Sequence, residues 1–196
     1  MVFSHFVLLL LLGVMLLSVM VAINDYKYRR IPNIYLMYAV AYWMVVFATM
    51  FFYLPTVDVA KGLFFSIIGM VLGGAFFIVP YRLKQVGAGD VKLVMVFGLY
   101  LSMRGVILTV LLGAMIGGVW ALYLAYRQGG LKHMWYNMKF MARSAYLSGF
   151  QDMGWDLKSD GSIKMPYGVA LSIGAILIAL EQFELHWAKI QALGLQ

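Results

Sequence analysis

The chain of 196 residues has no cysteine, four prolines and only 12% charged residues. Without thiols there are no disulfides, no thiolate nucleophiles and no cysteine-bound zinc. Charge at about half the roughly 25% usual for soluble domains leaves too few polar side chains to clothe a water-facing surface. Acids are the scarcest: Asp25, Asp58, Asp90, Asp152, Asp156, Asp160, Glu181 and Glu184 are the whole set. The three histidines, His5, His133 and His186, fall in separate segments, and neither an H-E-x-x-H motif nor a phosphate-cradling P-loop occurs. These gaps leave metalloprotease, Ser-His hydrolase and P-loop NTPase readings without support. Asp152, Asp156 and Asp160 recur every four residues but lack the ligand pattern of a calcium loop. No metal site and no cofactor is expected.

What the chain has in quantity is apolar surface, with 64% hydrophobic residues. A membrane-spanning helix needs roughly 20 mostly apolar residues, and the stretches 3–23, 34–54, 62–81, 105–126 and 166–183 come close to that length. A shorter run, 93–103, lies between the third and fourth of these. The expected fold is therefore all-α: a polytopic membrane protein with six transmembrane helices, the fourth of them short, forming one membrane-embedded domain over 1–196. The first segment lacks a basic start and a small-residue cleavage site, so it reads as a retained helix rather than a secretory signal.

Six crossings put the loops 24–33, 82–92 and 127–165 on one side, and these hold twelve of the fifteen Lys and Arg residues. Lys61, Arg104 and Lys189 are the remainder. The positive-inside rule makes the basic side cytoplasmic and the N-terminus external. The net charge of +7 is then explained by topology and contact with anionic membrane lipid, and no nucleic-acid partner is expected. Within the 127–165 loop, "LKHMWYNMKFMARSAY" spaces Met134, Trp135, Met138 and Met141 along one helical face, the pattern of an interfacial helix. Gly69 with Gly73, and Gly113 with Gly117, form small-xxx-small pairs that let helices approach closely in lipid.

Two acids sit where an apolar helix meets the cytoplasmic boundary. Asp25 follows the first span in "VAINDYKYRRIPN", and Asp90 opens the short fourth helix in "QVGAGDVKL". Each has a plain structural reading. Asp90 has the look of an N-cap, and Asp25 is surrounded by Lys27, Arg29 and Arg30 in a surface cluster. If helices one and four are neighbours, the two carboxyls meet at similar depth, cannot both ionise cheaply and share one proton. That is the working form of an aspartic protease.

These residues resemble the prepilin peptidases, membrane-embedded aspartic proteases of the GxGD type. The likeness rests on "GAGDVKL" with Gly87, Gly89, Asp90 and Lys92, on "NDYKYRRIPN" with Asp25, Arg30, Ile31, Pro32 and Asn33, and on "KMPYGVALSIGA" with Pro166, Tyr167 and Gly168. It implies that Asp25 and Asp90 are the catalytic pair, with the other motif residues supporting them. It also implies that the partner is a prepilin or pseudopilin precursor, whose short basic leader is removed after a glycine at the cytoplasmic face of the inner membrane. Long members of the family carry a cytoplasmic domain, often with four zinc-binding cysteines, together with N-methyltransferase activity. This chain departs from them, so a short, peptidase-only member like those of tight-adherence (Flp) pili is expected. The competing readings are a proton-coupled transporter and a non-catalytic pilus-assembly scaffold. The sequence sets no oligomeric state.

Overall fold

The computed structural model describes residues 2–82, 86–127, 136, 139, 143 and 166–194. Those residues form five helices rather than the expected six: α1 (Val2–Tyr28), α2 (Asn33–Tyr53), α3 (Thr56–Arg82), α4 (Ala88–Arg127) and α5 (Tyr167–Gly194). The all-α class stands, and all five are long and apolar enough to cross a membrane. Their outward faces are as greasy as their inward ones, with Leu16, Met37, Phe52, Met115 and Val119 exposed. Helices apolar all round belong in lipid, and the protein is a multi-pass membrane protein. The expected interfacial helix and the Asp152, Asp156, Asp160 series lie outside the described residues, apart from Tyr136, Lys139 and Arg143 of the former.

The missing sixth helix is a matter of one residue. The two apolar runs 93–103 and 105–126 are both present, fused into α4 across Ser102, whose φ of 60° and ψ of −173° interrupt the helical path. Neighbours on either side show that the chain turns back there. Before the break, Gly73 faces Val94 and Gly69 faces Gly98 and Ser102, so this first arm runs antiparallel to α3. Beyond it, Gly105 lies against Ile178 and Gln182, and Gly113 against Ala170 and Leu171, so the second arm runs antiparallel to α5. No glycine or proline marks the corner, and no loop separates the arms.

Close helix packing relies on residues without side chains. A Cβ on Gly98 would collide with the Gly69 carbonyl, and one on Gly73 would come within 2.6 Å of the Val94 oxygen. Polar ties then fix the first arm of α4 to α2. The Trp43 indole Nε1 donates to the Leu99 carbonyl at 3.0 Å, and the Tyr100 hydroxyl donates to the Ala39 carbonyl at 2.6 Å. Tyr42 extends the set by donating to the Leu9 carbonyl of α1 at 2.9 Å. In hydrocarbon, a hydroxyl or indole N–H with no partner is costly, so such bonds fix which helices are neighbours.

Between α2 and α3 there is almost no loop. The Leu54 amide closes α2 by donating to Met50 at 2.9 Å, and the Pro55 carbonyl opens α3 by accepting from Asp58 at 3.0 Å. Leu11, Val14 and Val21 of α1, Leu93, Val94 and Phe97 of α4 and Leu171 and Ala175 of α5 fill the centre of the bundle, each nearly or wholly sealed from solvent.

Candidate active site

The end of the bundle that holds the last turn of α1 and the first turns of α4 and α5 gathers nearly all the residues singled out from the sequence. Asp25 lies in the last turn of α1 and is only 6% exposed. The helix stops just after it, where the Arg29 amide bonds the Asp25 carbonyl at 2.9 Å and Arg29 adopts a left-handed φ of 51°. This is the αL termination usually given to glycine. The Asn24 side chain holds the following loop by donating to the Arg30 carbonyl at 2.6 Å. Pro32 then precedes α2 and accepts from the Tyr35 amide at 3.2 Å. The side chain of Arg30 is exposed.

Asp90 is the third residue of α4 rather than its N-cap. Its carboxylate reaches back to accept the Gly87 amide at 3.0 Å, while the Gly87 carbonyl accepts from the Asp90 amide at 3.1 Å. This is one half of a capping box, the acid in the third helical position reaching back to the N-cap amide, with a backbone turn bond in place of the side-chain bond that Gly87 cannot make. The capping reading of Asp90 was therefore sound in kind and wrong in position. Lys92, two residues past Asp90, ties α4 to the start of α2 by donating from Nζ to Asn33 Oδ1 at 3.1 Å.

The third motif closes the site. Pro166 precedes α5 and accepts from the Val169 amide at 3.2 Å. A Cβ on Gly168 would stand 2.8 Å from Asp25 Oδ2 and 3.1 Å from its Cγ, so the absence of a side chain is what lets α5 press against the carboxylate. The backbone amides of Val169 and Gly168, in the first turn of α5, face the Asp25 carboxyl, whose Oδ2 is buried. Asp90 lies within electrostatic reach of Asp25, and Tyr167 within reach of Asp90. The Tyr167 ring rests against Phe77 of α3, with centroids 6.1 Å apart.

One motif residue shows its packing role only in the fold. Ile31, in the short link between α1 and α2, touches both glycines beside the two carboxyls. A Cβ on Gly89 would be 3.2 Å from Ile31 Cβ, and one on Gly168 would be 3.2 Å from Ile31 Cδ1. A lone isoleucine in a loop carries no chemical signal, and only the fold reveals where it is wedged. Among the described residues, no group of three or more His, Cys, Asp or Glu side chains is placed to hold a metal ion.

Fold and site together define a polytopic membrane protein with two carboxyl side chains within electrostatic reach of each other at one end of its helical bundle. A family model described as the type IV leader peptidase family matches residues 9–122, more than half the chain. The chain belongs to that family, and with it to the membrane proteases that act on prepilin-like precursors. The match takes in both Asp25 and Asp90 but ends before Pro166, Tyr167 and Gly168. Neither a curated protein nor a solved structure gives a significant match to the chain.

Proposed function

We propose that the protein is an aspartic endopeptidase that removes the leader from prepilin or pseudopilin precursors at the cytoplasmic face of the inner membrane, with Asp25 and Asp90 as the catalytic pair. The observation that carries this reading is that two acids 65 positions apart in the chain lie within electrostatic reach of each other at one end of the bundle, with Asp25 buried. Family membership favours proteolysis over the transporter and scaffold alternatives. The basic loops support a cytoplasmic site and an external N-terminus. The lack of cysteine, and so of any zinc-bound cysteine cluster, supports a peptidase-only enzyme of the tight-adherence kind, without N-methyltransferase activity.

The chemistry needs one proton between two carboxyls. The ionised carboxylate takes a proton from water as the water oxygen bonds to the scissile carbonyl carbon, and the protonated partner donates to the carbonyl oxygen. Collapse of the tetrahedral intermediate breaks the C–N bond, the departing nitrogen takes up a proton, and a leader carboxylate and a new amino terminus result. Gly87, Gly89, Lys92, Arg30, Pro32, Asn33, Pro166, Tyr167 and Gly168 support the pair. Their part is to set the backbone that carries Asp90, to tie α4 to α2 through Lys92 and Asn33, and to let α5 approach Asp25.

Co-expression with a tight-adherence prepilin, read by gel shift of the processed product, tests the reading. Asp25→Asn and Asp90→Asn are each expected to slow processing by about 10² to 10⁴-fold, the usual worth of a positioned acid or base. Full activity in either variant removes the dyad. Mass spectrometry of the mature pilin is expected to show an unmethylated N-terminus, and methylation by this chain would contradict the peptidase-only assignment.

A further inference from the structure

We infer that the second arm of α4 carries a binding site for one anionic phospholipid, with the acyl chains in an apolar groove beside α5 and the phosphate on Arg127. The groove is formed, among the described residues, by six side chains of that arm between Leu112 and Tyr123 and by Leu177 of α5. It lies apart from the candidate active site. Gly168, which presses on Asp25, and Leu177 are nine residues apart on α5 and so half a turn out of phase, looking out from opposite faces of the helix.

The groove has the size of a lipid site rather than a helix site. Its volume is about 840 Å³, within the roughly 300–1,000 Å³ of a site for one small molecule, whereas a spanning helix about 10 Å across and 30 Å long fills ~2,400 Å³. A second copy of the chain is also a poor match. Helices associate in lipid through small residues, and every lining side chain here is large, Val119 being the smallest. Apolar walls alone do not choose one lipid over its neighbours, because lipid tails are as apolar as leucine. Selection falls to the charged end.

Ile116, Trp120, Tyr123 and Arg127 follow one another at steps of four, three and four residues, so they share one face of an arm that stays helical to Arg127. The Arg127 side chain is exposed in the last turn. From Leu112 to Arg127 the helix rises about 22 Å, the depth of one leaflet of a bilayer about 40–45 Å thick with its headgroups. Trp120 and Tyr123 then stand where aromatic side chains mark the edge of the hydrocarbon. The Arg127 guanidinium is left at the level of the phosphates, a group it binds through two parallel hydrogen bonds. Because α5 begins beside Asp25 and runs antiparallel to this arm, the lipid belongs to the leaflet that borders the candidate site.

The test uses the purified full-length protein, stripped of lipid in detergent and titrated with phosphatidylglycerol or with phosphatidylcholine of the same acyl chains, bound lipid being counted by native mass spectrometry. Wild type is expected to take up one phosphatidylglycerol about fivefold more tightly than phosphatidylcholine, the worth of one basic side chain at an anionic lipid. Arg127→Gln is expected to abolish that preference, and Arg104→Gln, the same loss of charge at the other end of the arm, to keep it. Val119→Trp, which fills the groove at a position 69% exposed, is expected to weaken the binding of both lipids. Equal affinity of wild type for the two lipids overturns the inference, as does a preference that survives Arg127→Gln or is lost equally in Arg104→Gln. Uptake unchanged by Val119→Trp overturns it too, leaving only unspecific annular lipid, and so does a dimer that sheds lipid as it forms, which would give the groove to a second copy. None of these outcomes bears on the proteolytic reading, which the lipid site does not require.

Discussion

Gly168 offers the sharpest test of the candidate site because activity and stability are expected to part company there. Gly168→Ala places a methyl carbon 2.8 Å from Asp25 Oδ2 and 3.1 Å from Cγ, where ordinary contact begins at 3.4 Å. The carboxylate or the start of α5 has to yield by about half an ångström, and the Ile31 Cδ1 at 3.2 Å closes one direction of retreat. Misplacement of reacting groups by about 1 Å costs on the order of 10²-fold in rate, so a shift of this size costs on the order of 10-fold. The same substitution improves helix propensity in the first turn of α5 by up to about 1 kcal/mol, which offsets part of the steric cost to the fold. The expected result is a protein with nearly unchanged thermal stability in nanodiscs and roughly a tenth of the wild-type kcat on a prepilin substrate. Wild-type turnover in Gly168→Ala would refute the reasoning, since it would mean that the spacing between α5 and Asp25 has no bearing on catalysis.

Two further substitutions probe the scaffold. Ser102→Gly replaces a residue held at φ 60° by the one that adopts this region freely. Strain of about 1–3 kcal/mol is relieved against a glycine entropy cost of about 0.5–1, for a net gain near 1 kcal/mol in reversible unfolding in mixed micelles, with processing unchanged. A clear loss of stability would show that the corner is not left-handed. Gly98→Ala drives a methyl into the Gly69 carbonyl and to 2.6 Å from the Met70 amide nitrogen, both backbone atoms that cannot rotate away. The expected loss is about 2 kcal/mol in the same assay, and a neutral result would mean that α3 and α4 are not in backbone contact.

Much of this molecule could be read in advance because hydrocarbon imposes simple rules. The apolar runs marked every helix, α2 to within a residue, although α5 continues well past the expected end at 183, and the two boundary aspartates stood out because charge is so rare elsewhere in the chain. The glycine pairs also announced close packing, although only the fold shows that Gly69 and Gly73 meet the first arm of α4 while Gly113 meets α5. The reversal at Ser102 was legible where Ser102 and Arg104 part the runs 93–103 and 105–126, and the count differs from six only because no loop separates the two arms, which run on as one helix. Asp90 was misplaced by three positions as a cap, since the sequence does not say whether a helix starts at the acid or reaches back from it. Ile31 stood in the sequence only as one residue of a family-like motif, and its contacts beside Gly89 and Gly168 needed the fold.

The halt of the Asp90-bearing arm at Ser102 fixes the depth of the chemistry in an unusual way. Fourteen residues rise only about 21 Å, well short of a hydrocarbon core about 30 Å thick, so this arm has no far anchor at the opposite headgroups. Its datum is internal: the Trp43 and Tyr100 bonds to and from α2, and the glycine seam on α3. Bilayers of different thickness tilt and slide helices that run from one headgroup layer to the other, but here the ruler that sets the height of Asp90 is protein rather than lipid.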